Sequence, residues 1–164
     1  MEKHEFFADA RDDLTGPLAG VRVLEVATTW AGPMAGVVLA DLGADVVKVE
    51  IPSGDVARAL MPLPDTEVTL MHATVNRNKR SLAIDLTSDE GAKIVLDLTS
   101  RCDIFLENFK TGTLARNGLG YDAVKAVKPD VVYVSVTGWG QYGPDHEAAG
   151  YDPMAQATSG FMSV

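Results

Sequence analysis

Gly138-Trp139-Gly140-Gln141-Tyr142-Gly143 matches the spacing G-x-G-x-x-G and follows a β-branched run. The chemistry would be dinucleotide binding, which needs a helix opening on the glycines and an acidic residue about 20 positions later. Here Pro144 and polar residues follow, and no acid occurs after Asp152. The run therefore reads as a flexible glycine loop that could act as a lid or admit a substrate against its backbone. Thr28-Thr29-Trp30-Ala31-Gly32-Pro33 reads as a strand-to-helix turn. Its amides and helix dipole would suit an anion or a developing oxyanion. Equally, Trp30 could be a core aromatic and Pro33 a plain helix starter. Glu107-Asn108-Phe109 ends a strand. Asn108 offers a donor and an acceptor, and Phe109 a face for stacking. Arg116 could reach a phosphate or stand as a solvated surface charge. The cluster Asn76-Arg77-Asn78-Lys79-Arg80 could bind phosphate or pair with carboxylates elsewhere. His4, His72 and His146 lie far apart, so no metal site is expected. No nucleophile elbow is present, and residue types alone do not make a Ser/His/Asp triad.

These candidates are placed by a regular alternation of elements. Residues 21–26 read as a buried strand, with Thr28-Thr29 as the cap of a small-residue helix over 31–42 closed by Gly43. Residues 45–50 form the next strand, which completes a right-handed βαβ unit. Residues 51–70 hold Pro52, Gly54, Pro62 and Pro64 and read as a long loop. A strand over 81–85 precedes a helix over 88–100, capped by Ser88 and weakened by Gly91, with Ile94, Val95 and Leu98 at helical spacing. Strands at 103–106 and 131–136 flank short helices at 113–116 and 121–127. The fold class is α/β: an open, mostly parallel, Rossmann-like sheet flanked by helices. Ligands of such sheets bind beyond the carboxyl ends of the strands. That rule selects residues 27–33, 51–53, 107–113 and 137–143, with the segment after Asp85 as a further candidate. Residues 1–16 read as a polar leader that Phe6 and Phe7 could dock.

The 164 residues are 46% hydrophobic and 23% charged, with 14 Lys+Arg against 23 Asp+Glu, a net charge of -9. This is enough chain to bury a core, and too acidic for a sequence-independent nucleic-acid binder. A phosphorylated small molecule is still admissible, since a few amides and one arginine can hold it. Apolar runs are strand-sized, so no membrane partner is expected. Cys102 is the one cysteine, which rules out a disulfide scaffold and fits a reducing cytoplasm.

Taken together, the segments resemble family III CoA transferases, the group of formyl-CoA, carnitine CoA and bile-acid-inducible transferases. The resemblance rests on residues 17–25, Ala31-Gly32-Pro33, residues 39–50, Asn76 with Asn78-Lys79-Arg80-Ser81, and Asp85. Asp103, Glu107-Asn108-Phe109, residues 138–144, Gly150-Tyr151-Asp152 and residues 156–160 complete it. Each motif is weak alone, but their order and gaps across residues 17–164 are specific. The resemblance implies an N-terminal CoA-binding α/β domain over 17–164, incomplete relative to the family fold. It implies an acyl-CoA and a carboxylic acid as substrates, no tightly bound cofactor, and an interlocked homodimer in the full-length parent. In that family an aspartate attacks the thioester, giving a mixed anhydride and then an aspartyl-CoA thioester.

Carried over by position, Thr29, Trp30 and Ala31 would line the thioester end of CoA. Ile84, Asn108, Phe109, Thr113 and Arg116 would hold the pantetheine, adenine and phosphates. Trp30 stands where formyl-CoA transferase has a glutamine, which implies a different acyl pocket. Ile51 and Thr137 replace an arginine and a lysine used by some members at the nucleotide end. The nucleophilic aspartate is expected beyond Val164, so no residue here is assigned as catalytic, and Asp152 is expected to start a helix. The chain alone is expected to be inactive and prone to associate. An α-methylacyl-CoA racemase-like activity is the alternative on this fold, but the racemase has Gly-His-Asp where this chain has Gly150-Tyr151-Asp152. A tyrosine does not readily serve as acid and base near neutral pH. The other alternative is a non-catalytic CoA-binding or interaction module, separable by CoA calorimetry beside a transferase assay.

Overall fold

Near-continuous burial along the central strands marks a sheet covered on both faces, since alternate side chains of a strand point to opposite faces. The computed structural model describes residues 15–163 except positions 65 and 67. Strands β1 (Arg22–Val26), β2 (Asp45–Glu50), β3 (Lys79–Ala83), β4 (Ile104–Glu107) and β5 (Val132–Ser135) form one five-stranded sheet. Its order is β3-β2-β1-β4-β5, and every ladder is parallel. The register sets Leu24 beside Val47 and Phe105. The chain leaves β1 toward β2 and β3, then returns to β1's other side for β4. The carboxyl ends of β1 and β4 therefore flank a topological switch point, where sheets of this class open a crevice.

Helices α1 (Ala31–Asp41), α2 (Leu70–Asn76), α3 (Asp89–Thr99), α4 (Thr113–Arg116), α5 (Tyr121–Val127) and α6 (Asp152–Thr158) follow in chain order. On one face Leu24, Val26, Val47 and Phe105 pack with Val95 and Leu98 of α3, Leu114 of α4 and Val124 of α5. Fully burying each such side chain contributes about 1.5–3 kcal/mol. On the other face Val23, Val46 and Leu106 meet Ala40 of α1. Small residues let α1 lie close to the sheet. A Cβ at Gly36 would overlap the Glu25 carboxylate, and one at Gly32 would come within 2.7 Å of Ala27.

Several sequence expectations need correction. Thr28 and Thr29 do not cap α1. Trp30 takes the cap position without a side-chain cap bond, because the threonines bond Asp55 instead. The strand expected at 81–85 runs from Lys79 to Ala83, since Arg80 reaches Asp45 on the adjacent β2 and Lys79 reaches Glu25 on β1, one strand further in. The region 51–70 is not plain loop. Asp55 caps a 3-10 turn at Val56–Ala59, Pro62 bridges to Thr69, and Thr69 caps α2. Ser88 caps α3 as expected, its Oγ accepting from the Gly91 N–H at 3.0 Å. Gly91 is not a weak point, because a Cβ there would run into the Asp85 carbonyl. Ile94 faces outward, while Val95 and Leu98 are buried. Asp152 does start α6, with Pro153 next to it. Residues 1–14, including Phe6 and Phe7, lie outside the described residues. Among the described residues no helix is long and apolar enough to cross a membrane.

Candidate functional site

The turn after β1 is held from three sides. The Asn108 amide grips Thr28 twice: Oδ1 accepts the Thr28 N–H at 2.8 Å and Nδ2 donates to the Thr28 carbonyl at 2.8 Å. Asp55 Oδ1 accepts the Thr29 N–H at 3.0 Å and the Thr28 hydroxyl at 3.2 Å. Lys48 Nζ donates to the Ala27 carbonyl at 2.8 Å. Thr29 sits at φ 69°, in the left-handed region that costs a β-branched residue about 1–3 kcal/mol. α1 then begins with no acidic residue in its first turn and no side-chain cap. Ala31 and Gly32 bring the first-turn amide donors, Pro33 having none, and the helix dipole favours a partial negative charge placed there.

Behind the turn lies an alternating chain of ions. Lys79 Nζ meets Glu25 Oε2 at 2.6 Å, Glu25 Oε1 meets Lys48 Nζ at 3.1 Å, and Lys48 Nζ meets Asp55 Oδ2 at 2.8 Å. Burial pushes the Glu25 carboxyl up, against the pull of the two ammonium groups. Burial likewise drives Lys79 down to about 8, with Glu25 opposing. Desolvation also works against the Asp55 carboxylate. The Ala57 amide, Lys48 and the Thr29 amide overcome it and hold Asp55 below its ordinary value. Glu50, at the end of β2, carries the bidentate Arg58 at 2.7 and 2.5 Å. That pair, helped by Ser81 and the Asp55 amide, holds Glu50 at about 2.

At the end of β4, Glu107 is buried and burial raises its carboxyl. Its Oε2 accepts the Phe109 N–H at 2.8 Å, Ser135 donates to its Oε1, and Gln141 donates to Ser135. Phe109 is thereby fixed between two clefts. The larger, about 520 Å³, lies at the switch point between Thr28–Ala31 and Asn108–Thr111. Its far wall is Val136–Trp139 with His146 and residues 148–153. Gly138 and Gly150 close that wall backbone to backbone, since a Cβ on either would overlap the other's Cα. Trp139 Nε1 donates to the Ala149 carbonyl at 3.0 Å. The glycine run opens no helix; Gly138 serves this close approach, while Gly140 and Gly143 take positive φ at 84° and 101°. The second cleft, about 430 Å³, lies between Phe109, Gly112 and the aromatic pair Tyr121 and Tyr133, whose ring centroids stand 5.5 Å apart, edge to face.

The structure brings Thr29, Trp30, Ala31, Asn108 and Phe109 together on the larger cleft. Thr113 and Arg116 stand outside both linings. Arg116 donates to Thr113 Oγ1 at 3.1 Å and folds over Gly112, which lines the second cleft. Ile84 is not brought to either cleft, since its side chain is in the core. The basic cluster pairs with carboxylates: Arg77 and Asn78 with Asp41, Lys79 with Glu25, and Arg80 with Asp45. Sequence reasoning missed Lys110 and His146, the basic side chains on the larger cleft among the described residues. It also missed Asp55, whose signal was an aspartate just after Gly54 and before a short apolar turn. Among the described residues no cluster could hold a metal ion.

Comparison with known proteins gives this geometry a context. A family model described as CoA-transferase family III matches residues 18–164. The chain is 46% identical over 157 residues to the succinate--glutarate CoA-transferase of Agrobacterium fabrum, covering 90% of this chain and 39% of that protein. It is 44% identical over 154 residues to mouse succinyl-CoA:glutarate CoA-transferase, covering 93% of this chain and 35% of that protein. A crystal structure of a CAIB/BAIF family protein from Brucella suis superposes with a TM-score of 0.84 at 42% identity, over 91% of this chain and 40% of that one. The chain thus spans well under half the length of the relatives it matches.

Proposed function

The chain belongs to CoA-transferase family III, and from that premise we propose that it forms the CoA-binding face of an acyl-CoA:carboxylate CoA transferase. The observation that carries this reading is the convergence of Thr29, Trp30, Ala31, Asn108 and Phe109 on one cleft at the switch point. The thioester end of CoA lies against the start of α1, whose amides and dipole stabilise negative charge on the carbonyl oxygen. The pantetheine arm passes Phe109, and Arg116 on the rim meets a phosphate. Trp30 and Trp139 give the acyl end apolar walls.

A carboxylate nucleophile from outside this chain attacks the thioester carbon, and the C–S bond breaks as the thiolate leaves. The thiolate then attacks the aspartyl carbonyl of the mixed anhydride and releases the first acid. The incoming acid reverses both steps. The two relatives named for succinate or succinyl-CoA and glutarate suggest dicarboxylates as substrates. In this reading Lys110 and His146, which line the cleft, meet a distal carboxylate. The same reading takes the enzyme to be a homodimer without a resident cofactor, and a cytoplasmic one, the last alone having support in the free thiol of Cys102.

The test is CoA transfer from succinyl-CoA to glutarate by the full-length protein, with hydroxylamine present to trap an acyl-enzyme. Transfer with one modified aspartate is expected. Solvent deuterium entering the acyl α-carbon without transfer would overturn the reading in favour of a racemase.

A further inference from the structure

The side chains of Lys79, Glu25, Lys48 and Asp55 are each 2% exposed or less. Desolvating such ions costs several kcal/mol each, and apolar residues of the same volume are often equally stabilising. Stability alone is therefore a poor account of this ion chain, and where it ends is more informative. Its last member, Asp55, accepts the N–H of Thr29, the β-branched residue held at φ 69°. Lys48 meets Asp55 at 2.8 Å and also holds the Ala27 carbonyl. The residues before and after Thr28 are thus tied to one buried ion pair, and Thr28 itself to Asn108. A threonine freed from these ties would relax toward negative φ. That rotation would turn the start of α1 away from the cleft.

We propose that Lys48 and Asp55 are positioning residues that hold Thr29 in its left-handed conformation and so aim the first turn of α1 into the cleft. Neither lines the cleft itself, and Asp55 acts through Thr28 and Thr29, which do. The inference rests on the CoA reading above, and it assigns the buried pair a role in binding the thioester end only.

The experiment compares the chain with its Asp55→Asn variant by calorimetry, using acetyl-CoA and adenosine 3′,5′-bisphosphate, which lacks the pantetheine arm. The NMR amide coupling of Thr29, which reports φ without any ligand, is measured in parallel. Asp55→Asn is expected to weaken acetyl-CoA about tenfold, to leave the bisphosphate within about twofold, and to shift the Thr29 coupling. Glycine has no preference for negative φ, so Asp55→Asn with Thr29→Gly is expected to lose less than the sum of the two single variants. Equal weakening of both probes, an unchanged Thr29 coupling or strict additivity would overturn the proposal. Should Asp55→Asn lose its cooperative melt, Thr28→Val removes only one bond to Asp55. It is expected to weaken acetyl-CoA two- to threefold, a modest hydrogen-bond loss, and no change would overturn the proposal. If the unaltered chain binds neither probe, the CoA reading fails, while the Thr29 coupling still decides the positioning role.

Discussion

Replacing Asn108 by alanine separates two roles that its residue type allows. The sequence makes Asn108 a candidate ligand contact, whereas the structure commits both its amide atoms to Thr28, each at 2.8 Å. A net contribution of about 1 kcal/mol per hydrogen bond gives about 2 kcal/mol of lost stability. Thr28 is half-buried, so water takes over part of the bonding and the further penalty for unsatisfied groups stays small. For a domain of this size that corresponds to a drop of about 4–8 °C in Tm. Asn108→Asp sharpens the test. It keeps the acceptor for the Thr28 N–H but sets a carboxylate oxygen against the Thr28 carbonyl. The loss should therefore equal or exceed that of alanine, about 2–3 kcal/mol. Urea unfolding with linear extrapolation measures both variants. A loss below about 0.5 kcal/mol for alanine, within the range of ordinary surface changes, would show that the clamp is not what holds this turn.

Further outcomes are expected elsewhere. Glu50 titrates at about 2 in the folded chain against an ordinary 4.5, so its contribution is present above pH 4.5 and is lost as pH falls from there toward 2. The ceiling is about 3.4 kcal/mol, and screening at the half-exposed Arg58 brings it to about 1–2 kcal/mol; Arg58→Met should flatten acid unfolding in that window. Gly91→Ala, which normally favours a helix by about 1 kcal/mol, should instead destabilise by about 1–3 kcal/mol in urea titrations because its Cβ meets the Asp85 carbonyl. Burial pushes the Cys102 thiol up to about 12, so a thiol reagent should react with it only when urea opens the core.

Most of the sheet was legible because the Arg22–Val26, Asp45–Glu50 and Val132–Ser135 strands carry valine-rich runs, and Ser88 and Gly43 punctuate the helices as their types predict. The strand at Lys79–Ala83 was misplaced by two residues at its start because a run of charges looks like surface until its partners are known. Lys79 and Arg80 belong in the sheet only through Glu25 and Asp45 on other strands. Helix α2 was missed because seven residues carry too little apolar periodicity to stand out from a proline-rich loop. Thr29, Trp30, Ala31, Asn108 and Phe109 could be placed on one cleft from sequence because they follow strand ends, and strand ends are where such sheets open their crevices. Asp55 and Glu107 were not assigned roles, since a buried carboxylate shows its purpose only once the amides it accepts are in place. Ile84 illustrates the converse, where position in a motif says nothing of the face a side chain takes.

The central claim is that one cleft between the ends of β1 and β4 binds CoA, and amide NMR of the chain titrated with CoA tests it most directly. Saturable shifts are expected at Thr29, Trp30, Ala31, Asn108, Phe109 and the facing Gly138–Trp139 wall, and at Gly112–Arg116 where a phosphate is met. Shifts absent from these residues, or clustered instead on the Asn76–Arg80 segment, would contradict it.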